Sequence, residues 1–204
     1  MFFLKEIEFL KKGLISTPPF SEFKEKISFF SLSGRQFIRR RKGIPPLLIK
    51  KEFVEELKKK FGLCKLVILD CEGSISCAEL SRIDRFSVII IGRRKYKNLK
   101  YLIRGFLHEV GHSLGLRDEC VRCARSSPGY PNCAPTKELA KKWWGDLAKR
   151  IPRVGYVKGC CGDNNFFRPT GASLMREPEE AKDFGPVNER YLKKELERYL
   201  GEDN

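Results

Sequence analysis

Histidine is scarce in this chain of 204 residues, which contains only two, His108 and His112. A site that needs three imidazoles from one chain is therefore excluded. Long apolar runs are missing too, since no stretch approaches the roughly 18 apolar residues of a membrane-spanning helix. We therefore expect no membrane segment.

The start of the chain, MFFLKEIEF, has an apolar piece too short for a signal peptide and reaches Lys5 and Glu6 at once. This start predicts a cytoplasmic protein, or a secreted one if a leader is missing from the sequence. The residues alone leave both alternatives open.

Basic residues outnumber acidic ones, with 41 Lys and Arg against 26 Asp and Glu, which gives a formal net charge of +15. Such a surplus is typical of chains that bind nucleic acid or an acidic surface. Most of the cations, however, are interleaved with glutamate, and the one dense run is RRRK at 39–42. We therefore favour a solvated, charge-rich surface over a nucleic-acid partner.

The two histidines belong to a single motif, His-Glu-x-x-His, formed by His108, Glu109 and His112. Residues four apart on a helix point to the same side, so both imidazoles can bind one metal ion. Glu109 lies one step around the helix, within reach of a water on that metal. Two nitrogen ligands, an open coordination position and a carboxylate base are the arrangement of zinc hydrolases. The alternative is an ordinary helical histidine pair beside a surface glutamate.

A third ligand for the metal would have to be something other than histidine. Gly115 follows three residues after His112, where a helix can end in a left-handed turn that glycine adopts easily. Asp118 lies three residues further on, and a chain that turns at Gly115 could bring its carboxylate back to the metal. The extended pattern favours a Zn²⁺ site over the structural histidine pair.

Cysteine is abundant, with eight residues, and five of them follow the motif. Cys120 and Cys123 form Cys-x-x-Cys, which can supply two tetrahedral zinc ligands. Cys133 with Cys160 or Cys161 would complete a second, structural zinc site. The alternative is disulfide bonding, for instance of Cys120 or Cys123 with Cys133 or Cys160.

The other cysteines precede the motif. Cys71 and Cys77 are close enough in sequence to pair as a disulfide across a loop. Cys64 is predicted to pack as a small buried apolar residue.

Hydrophobic periodicity predicts alternating helices and strands before the motif and mostly irregular chain after it. Helices are predicted at 3–14, 21–26 (capped by Ser21), 50–61, 98–114, 136–150 (capped by Thr136) and 186–200. Strands are predicted at 27–32, 64–70 and 86–92, and loops at 34–46, 71–84, 116–135 and 152–184. We expect one domain, 1–204, with an upper part at about 1–116, a lower part at about 117–204, and a substrate cleft between them.

The motif with Gly115 and Asp118 resembles that of the metzincin clan of zinc peptidases. The chain is most similar to the IgA-peptidase-like metallopeptidase family, through STPPFSEFKEKISFF, the Asp-Glu pair after the helix, FFRPTGASLMREP and FGPVNERYL. The resemblance implies an α/β (α+β) metzincin-like fold, with a small twisted sheet, an active-site helix and an irregular C-terminal part that ends in a helix. It also implies zinc bound by His108, His112 and Asp118, and Met175 in a turn beneath the metal.

Two residues depart from the family pattern. Cys120 stands where the family tends to have an aromatic residue, and Phe167 stands where it tends to have tyrosine before Arg-Pro. The missing hydroxyl leaves oxyanion stabilisation unassigned. The cysteine-rich loop also resembles archaemetzincins, which carry a cysteine-bound second zinc, but those have histidine as third ligand and rank second.

These features together predict a zinc metalloendopeptidase in which Glu109 is the general base and the substrate is a peptide or protein. One alternative is a non-catalytic zinc-binding module that uses the cysteines and the basic surface, on nucleic acid. Another is a zinc hydrolase of small amides. No feature of the sequence indicates an oligomeric state.

Overall fold

The computed structural model describes residues 2–31, 38–40, 42, 47–61, 65–79, 86–178 and 180–201. Helices and strands alternate in the first half, which gives a mixed α/β fold of the α+β type. The α-helices are α1 (Phe2–Ile15), α2 (Lys51–Phe61), α3 (Leu99–Ser113), α4 (Lys137–Ala148) and α5 (Pro186–Leu200). The strands are β1 (Ile38–Arg40), β2 (Leu47–Ile49), β3 (Lys65–Asp70), β4 (Cys77–Glu79), β5 (Ser87–Gly92), β6 (Val157–Cys160) and β7 (Asp163–Arg168).

A three-stranded sheet with the order β3-β5-β4 supports the motif helix. β5 lies in the middle, parallel to β3 and antiparallel to β4, and Ile89 and Ile91 on it are fully buried. The run FSVIIIG is thus a buried strand, as predicted. β3 is less buried than its apolar sequence predicts, because in the described part of the chain it pairs only with β5 and leaves Val67 41% exposed.

The motif helix α3 packs between this sheet and α1. Its buried face carries Leu102, Phe106 and Val110, in line with the helical spacing of apolar residues that the sequence shows. The largest apolar cluster joins this face to residues from the C-terminal half, including Leu174 and Phe184. Burial of each such side chain contributes about 1.5–3 kcal/mol, so the helix is held from both sides.

The C-terminal part is organised around Trp144 on α4. This side chain is completely buried, and its indole N–H donates to the carbonyl oxygen of Gly155 at 2.8 Å. Thr136 caps α4 as predicted, accepting from the backbone N–H of Leu139 at 3.2 Å. α5 packs against the same cluster through Val187.

Several predicted elements are wrong. Residues 27–31 form no strand, and Phe30 instead packs its ring on Phe61 with the centroids 4.6 Å apart. The segment after Pro19 is a 3-10 helix, Phe20–Lys26, which has no side-chain cap, so Ser21 does not cap it.

Three predicted loops contain strands. The basic loop at 34–46 includes β1, which pairs with β2, and the loop at 71–84 includes the edge strand β4. The C-terminal segment at 152–184 contains the β6–β7 hairpin, which turns at Cys161 and Gly162 with φ of 52° and 73°. Short polar strands have little periodicity of their own, because their pairing depends on a distant partner.

Among the described residues, no helix is both long and apolar enough to cross a membrane. The division into an upper and a lower part stays a prediction.

Candidate metal centre

His108 and His112 lie on the last turns of α3, one turn apart. Their Nε2 atoms are 3.0 Å from each other, and their ring planes are nearly perpendicular. The helix begins at the cap residue Asn98, whose side chain accepts from the backbone N–H of Tyr101. The local i, i+4 geometry of the helix is therefore sufficient to bring the two imidazoles together.

Gly115 turns the chain back towards the histidines. Its φ of +104° lies in the region that favours glycine, and the N–H of Leu116 returns to the carbonyl of Gly111 at 3.0 Å. Asp118 follows with its Oδ1 atom 3.3 Å from Nε2 of His108 and 3.3 Å from Nε2 of His112. The structure thus brings the three predicted ligands together.

The triangle of ligand atoms has the size that a zinc ion requires. Zn–N and Zn–O bonds of about 2.0–2.1 Å at tetrahedral angles place ligand atoms about 3.3 Å apart. The observed separations are 3.0, 3.3 and 3.3 Å. His108, His112 and Asp118 therefore form a group that could hold a metal ion.

The other nitrogen of each imidazole is held by a backbone carbonyl. Nδ1 of His108 lies 2.8 Å from the oxygen of Leu174, and Nδ1 of His112 lies 2.9 Å from the oxygen of Leu116. When Nδ1–H donates to these carbonyls, Nε2 keeps its lone pair for a metal. The tautomer that a metal ligand needs is thus favoured by the backbone.

The carboxylate of Asp118 stays ionised at neutral pH. Burial works against ionisation, but the hydrogen bonds and charges of the two histidines hold the pKa of Asp118 well below its ordinary value. An ionised carboxylate is the form that binds a cation.

Met175 lies fully buried in a turn directly against the motif helix. Leu174 in the same turn supplies the carbonyl that fixes His108, and the N–H of Arg176 bonds back to Ser173 at 3.0 Å. A Cβ at Gly111 would come within 2.6 Å of the Met175 sulfur, so only glycine allows this close packing. The turn therefore fixes the position of an imidazole and packs under the helix.

Glu109 faces the cleft but is almost completely buried, with 4% of the residue exposed. Burial raises the pKa of Glu109 above its ordinary value, and the positive charge of Lys95 works against that rise. A carboxylate with a raised pKa beside a metal site is suited to accept and return a proton.

The neighbour of Asp118, Glu119, has a role that sequence reasoning missed. Its carboxylate is completely buried and accepts hydrogen bonds from Asn132 at 2.9 Å, Asn188 at 2.8 Å and Ser173 at 2.6 Å. Its backbone N–H donates to the carbonyl of Met175 at 2.8 Å. Because the partners come from segments far apart in the chain, no local pattern could have indicated this network.

The cysteines after the motif divide into two groups. Cys133, Cys160 and Cys161 are fully buried with their sulfur atoms within 4.8 Å of one another, a group that could hold a metal ion. Cys120 and Cys123 form the second group. Disulfides join Cys133 to Cys160 in the first group and Cys120 to Cys123 in the second. The predicted disulfides between these two groups are therefore wrong, and the predicted four-cysteine site is not gathered as one cluster.

Backbone hydrogen bonds connect the turn at Cys161 and Gly162 to the loop that carries Asp118 and Cys120. The N–H of Cys161 donates to the carbonyl of Asp118, and the N–H of Gly162 donates to that of Cys120, both at 2.9 Å. Cys161 keeps a free thiol, and burial raises its pKa. The turn of the β6–β7 hairpin thus holds the loop that carries Asp118.

The cysteines before the motif do not behave as predicted. Cys71 is exposed and carries a free thiol, so the predicted Cys71–Cys77 disulfide is wrong. Cys77 lines the cleft instead. The prediction for Cys64 lies outside the described residues.

The candidate metal group of His108, His112 and Asp118 opens into a cleft with a volume of about 570 Å³. The edge strand β4 contributes Cys77 and Ala78 to one wall, and the segment after the metal ligands contributes Cys123 and Ser126. Phe167, at the position where the resembled family has tyrosine, does not line this cleft but packs against the Trp144 cluster.

No known protein-family model matches this chain, and no curated protein sequence matches it.

Proposed function

We propose that the protein is a zinc metallopeptidase with a metzincin-like catalytic domain. The observation that carries this proposal is the triangle of His108, His112 and Asp118, whose ligand atoms are 3.0–3.3 Å apart beside the buried carboxylate of Glu109. Two imidazoles, one carboxylate and an open side towards a cleft match a catalytic zinc site better than a structural one, which would have four protein ligands.

The chain's residues have distinct roles in this proposal. His108, His112 and Asp118 would hold the ion, which when bound polarises a carbonyl and makes water more acidic. Glu109 takes the proton from the attacking water and delivers it to the leaving amine. The turn at Leu174 and Met175 fixes His108 and does no chemistry.

The cleft supports an extended peptide as substrate. β4 pairs with β5 along one side, and in the described part of the chain no strand pairs with its other side. An edge strand beside the site can bind a peptide backbone through main-chain hydrogen bonds. A hydrolase of small amides needs no such edge, so we favour an endopeptidase.

The first test compares Glu109→Ala with Glu52→Ala, which removes an exposed glutamate of α2 outside the cleft. Each purified protein is given zinc and incubated with unfolded casein, and its metal content is measured. We expect Glu109→Ala to keep its zinc and to lose nearly all casein cleavage, whereas Glu52→Ala keeps both. Undiminished cleavage by Glu109→Ala would contradict the role of Glu109.

A second metal is supported by the buried group Cys133, Cys160 and Cys161. Zinc per chain is measured on protein purified in metal-free buffer without reductant, beside His108→Ala. A fall from about two zinc ions to about one would support separate histidine and cysteine sites. A fall from about one to none would leave the cysteines as disulfides. Zinc unchanged by His108→Ala, with salt-sensitive binding to random DNA, would favour the non-catalytic module instead.

A further inference from the structure

The cleft next to the candidate metal centre is lined by cations that the proposed hydrolysis does not use. Lys95, Arg117 and Arg176 contribute to its walls, from three different segments of the chain. The carboxylates among the lining residues are those of Glu109 and Asp118, which the proposed mechanism already employs.

Arg117 is held firmly beside the metal ligand Asp118. The side chain of Asn132, itself fully buried, accepts from the backbone N–H of Arg117 at 3.0 Å and donates to its carbonyl at 2.9 Å. This bidentate contact fixes the backbone from which the guanidinium extends, so no backbone ordering is required when a ligand binds it.

The guanidinium of Arg117 has at least one hydrogen-bond donor without an acceptor among the described residues. Its Nε is buried and has no hydrogen-bond acceptor among the residues that the structure describes. A buried N–H without an acceptor is costly, at about 1–3 kcal/mol. A carboxylate suits a guanidinium best, because it can accept two parallel hydrogen bonds.

The other two cations differ in availability. Lys95 is exposed at the end of the 3-10 helix Arg93–Lys95 that follows β5, and it lines the cleft. Arg176 already pairs with Glu177 at 3.1 Å and donates to the carbonyl of Gly171. We therefore assign recognition to Arg117 and Lys95 and leave Arg176 out.

We propose that the cleft selects peptides with an acidic side chain close to the cleaved bond, and that Arg117 and Lys95 are the residues that determine this specificity. The inference rests on the proposed peptidase function and adds its substrate class. A neutral peptide would leave the Arg117 guanidinium without an anionic partner, whereas aspartate or glutamate at the right position would satisfy it.

The test uses the full chain loaded with zinc and pairs of internally quenched peptides. Mass spectrometry of digested casein first locates a cleavage point. The peptides of each pair then differ only by Asp or Asn, or by Glu or Gln, at one position beside that point. We expect kcat/KM to favour the acidic peptide about ten-fold at one position, as for a charge-assisted hydrogen bond.

Variants assign the preference to residues. Arg117→Gln should lower the ratio of acidic to neutral kcat/KM towards one, Arg117→Lys should retain part of it, and Lys95→Gln should reduce it. An exposed lysine of α4 provides the control, since Lys141→Gln should leave the ratio unchanged. An acidic preference that Arg117→Gln and Lys95→Gln both leave intact would overturn the inference.

A binding measurement separates this inference from the proposed function. The Glu109→Ala variant is titrated with one fluorescently labelled peptide pair, and anisotropy is recorded with and without Arg117→Gln. Tighter binding of the acidic peptide that depends on Arg117 supports the inference, even if no peptide is cleaved and the peptidase function fails. Equal binding of both peptides contradicts it, even if casein is cleaved.

Discussion

The buried carboxylate of Glu119 lies next to Asp118 and holds the loop that carries this candidate ligand. We predict that Glu119→Ala destabilises the metal-free chain by about 3 kcal/mol. The carboxylate accepts from three side chains, and Asn132 and Asn188 each retain a second bond, to the carbonyls of Arg117 and Phe184. Truncation thus leaves two buried amide hydrogens without an acceptor, at about 1–3 kcal/mol each.

Two effects make the destabilisation by Glu119→Ala smaller than the summed cost of the two unsatisfied amide hydrogens. The hydroxyl of Ser173, which donates to Glu119 at 2.6 Å, can rotate towards another acceptor. Removing a buried carboxylate also recovers part of its desolvation cost. The value of about 3 kcal/mol therefore lies in the lower half of the range of about 2–6 kcal/mol for two unsatisfied donors.

The assay is urea unfolding with a chelator present, so that metal binding does not contribute to the free energy of unfolding. Glu119→Gln is the matched variant, because its amide oxygen can accept from both asparagines and its amide N–H can donate to Ser173 Oγ. We expect Glu119→Gln to stay within about 1 kcal/mol of the original chain. Equal stability of Glu119→Ala and the original chain, or equal loss in both variants, would refute this reasoning.

Zinc affinity is the second measurement on the same variants. The side chain of Glu119, the residue after Asp118, accepts from Ser173 of the turn beneath the helix, and Glu119→Ala removes this bond while it keeps the backbone bond to Met175. Loss of a residue that orients a ligand typically costs about 10–100-fold in metal affinity, and we expect this loss for Glu119→Ala. An unchanged affinity would show that Asp118 is held without Glu119.

The remaining predictions concern packing and pH. Gly111→Ala should lower the unfolding free energy by about 1–3 kcal/mol, because the added Cβ would lie 2.6 Å from the Met175 sulfur. Thermal unfolding measures this change, and an unchanged melting temperature would contradict the prediction. Trp144→Phe should lower the free energy of unfolding by about 2 kcal/mol, because the carbonyl of Gly155 loses its donor and the smaller ring leaves a gap. Urea unfolding measures this loss, and an unchanged free energy of unfolding would contradict the prediction. Burial raises the pKa of Glu189 above 4.5, so its ionisation opposes folding and the original chain loses stability as pH rises through the folded pKa. Glu189→Gln should therefore stabilise the chain more at pH 8 than at pH 4. The measurement is the urea midpoint of the variant minus that of the original chain. An equal difference at pH 4 and pH 8 would contradict the prediction.

Helices were predictable from the sequence because their hydrogen bonds are local. The apolar spacing at 3–14, 50–61 and 186–200 and the cap at Thr136 are confirmed by α1, α2, α5 and α4. Strands were less predictable, because β4 and the β6–β7 hairpin consist of short segments whose pairing depends on residues elsewhere in the chain. The run at 27–31 illustrates the opposite error, since an apolar segment without a strand partner forms no sheet.

The spacing of residues along the chain specifies the local part of the candidate site. His108 and His112 meet because they are four residues apart on one helix, and Gly115 permits the turn that returns Asp118 to them. These relations involve a single helix and the turn that follows it, so spacing was sufficient to predict them.

How that site is held and what surrounds it depend on contacts between segments that are far apart in the chain. The buried carboxylate of Glu119 receives donors from segments 13, 54 and 69 residues away in the chain. Lys95 and Arg117 reach one cleft from opposite ends of α3. Contacts between distant segments depend on how helices and strands pack, and no spacing along the chain encodes them.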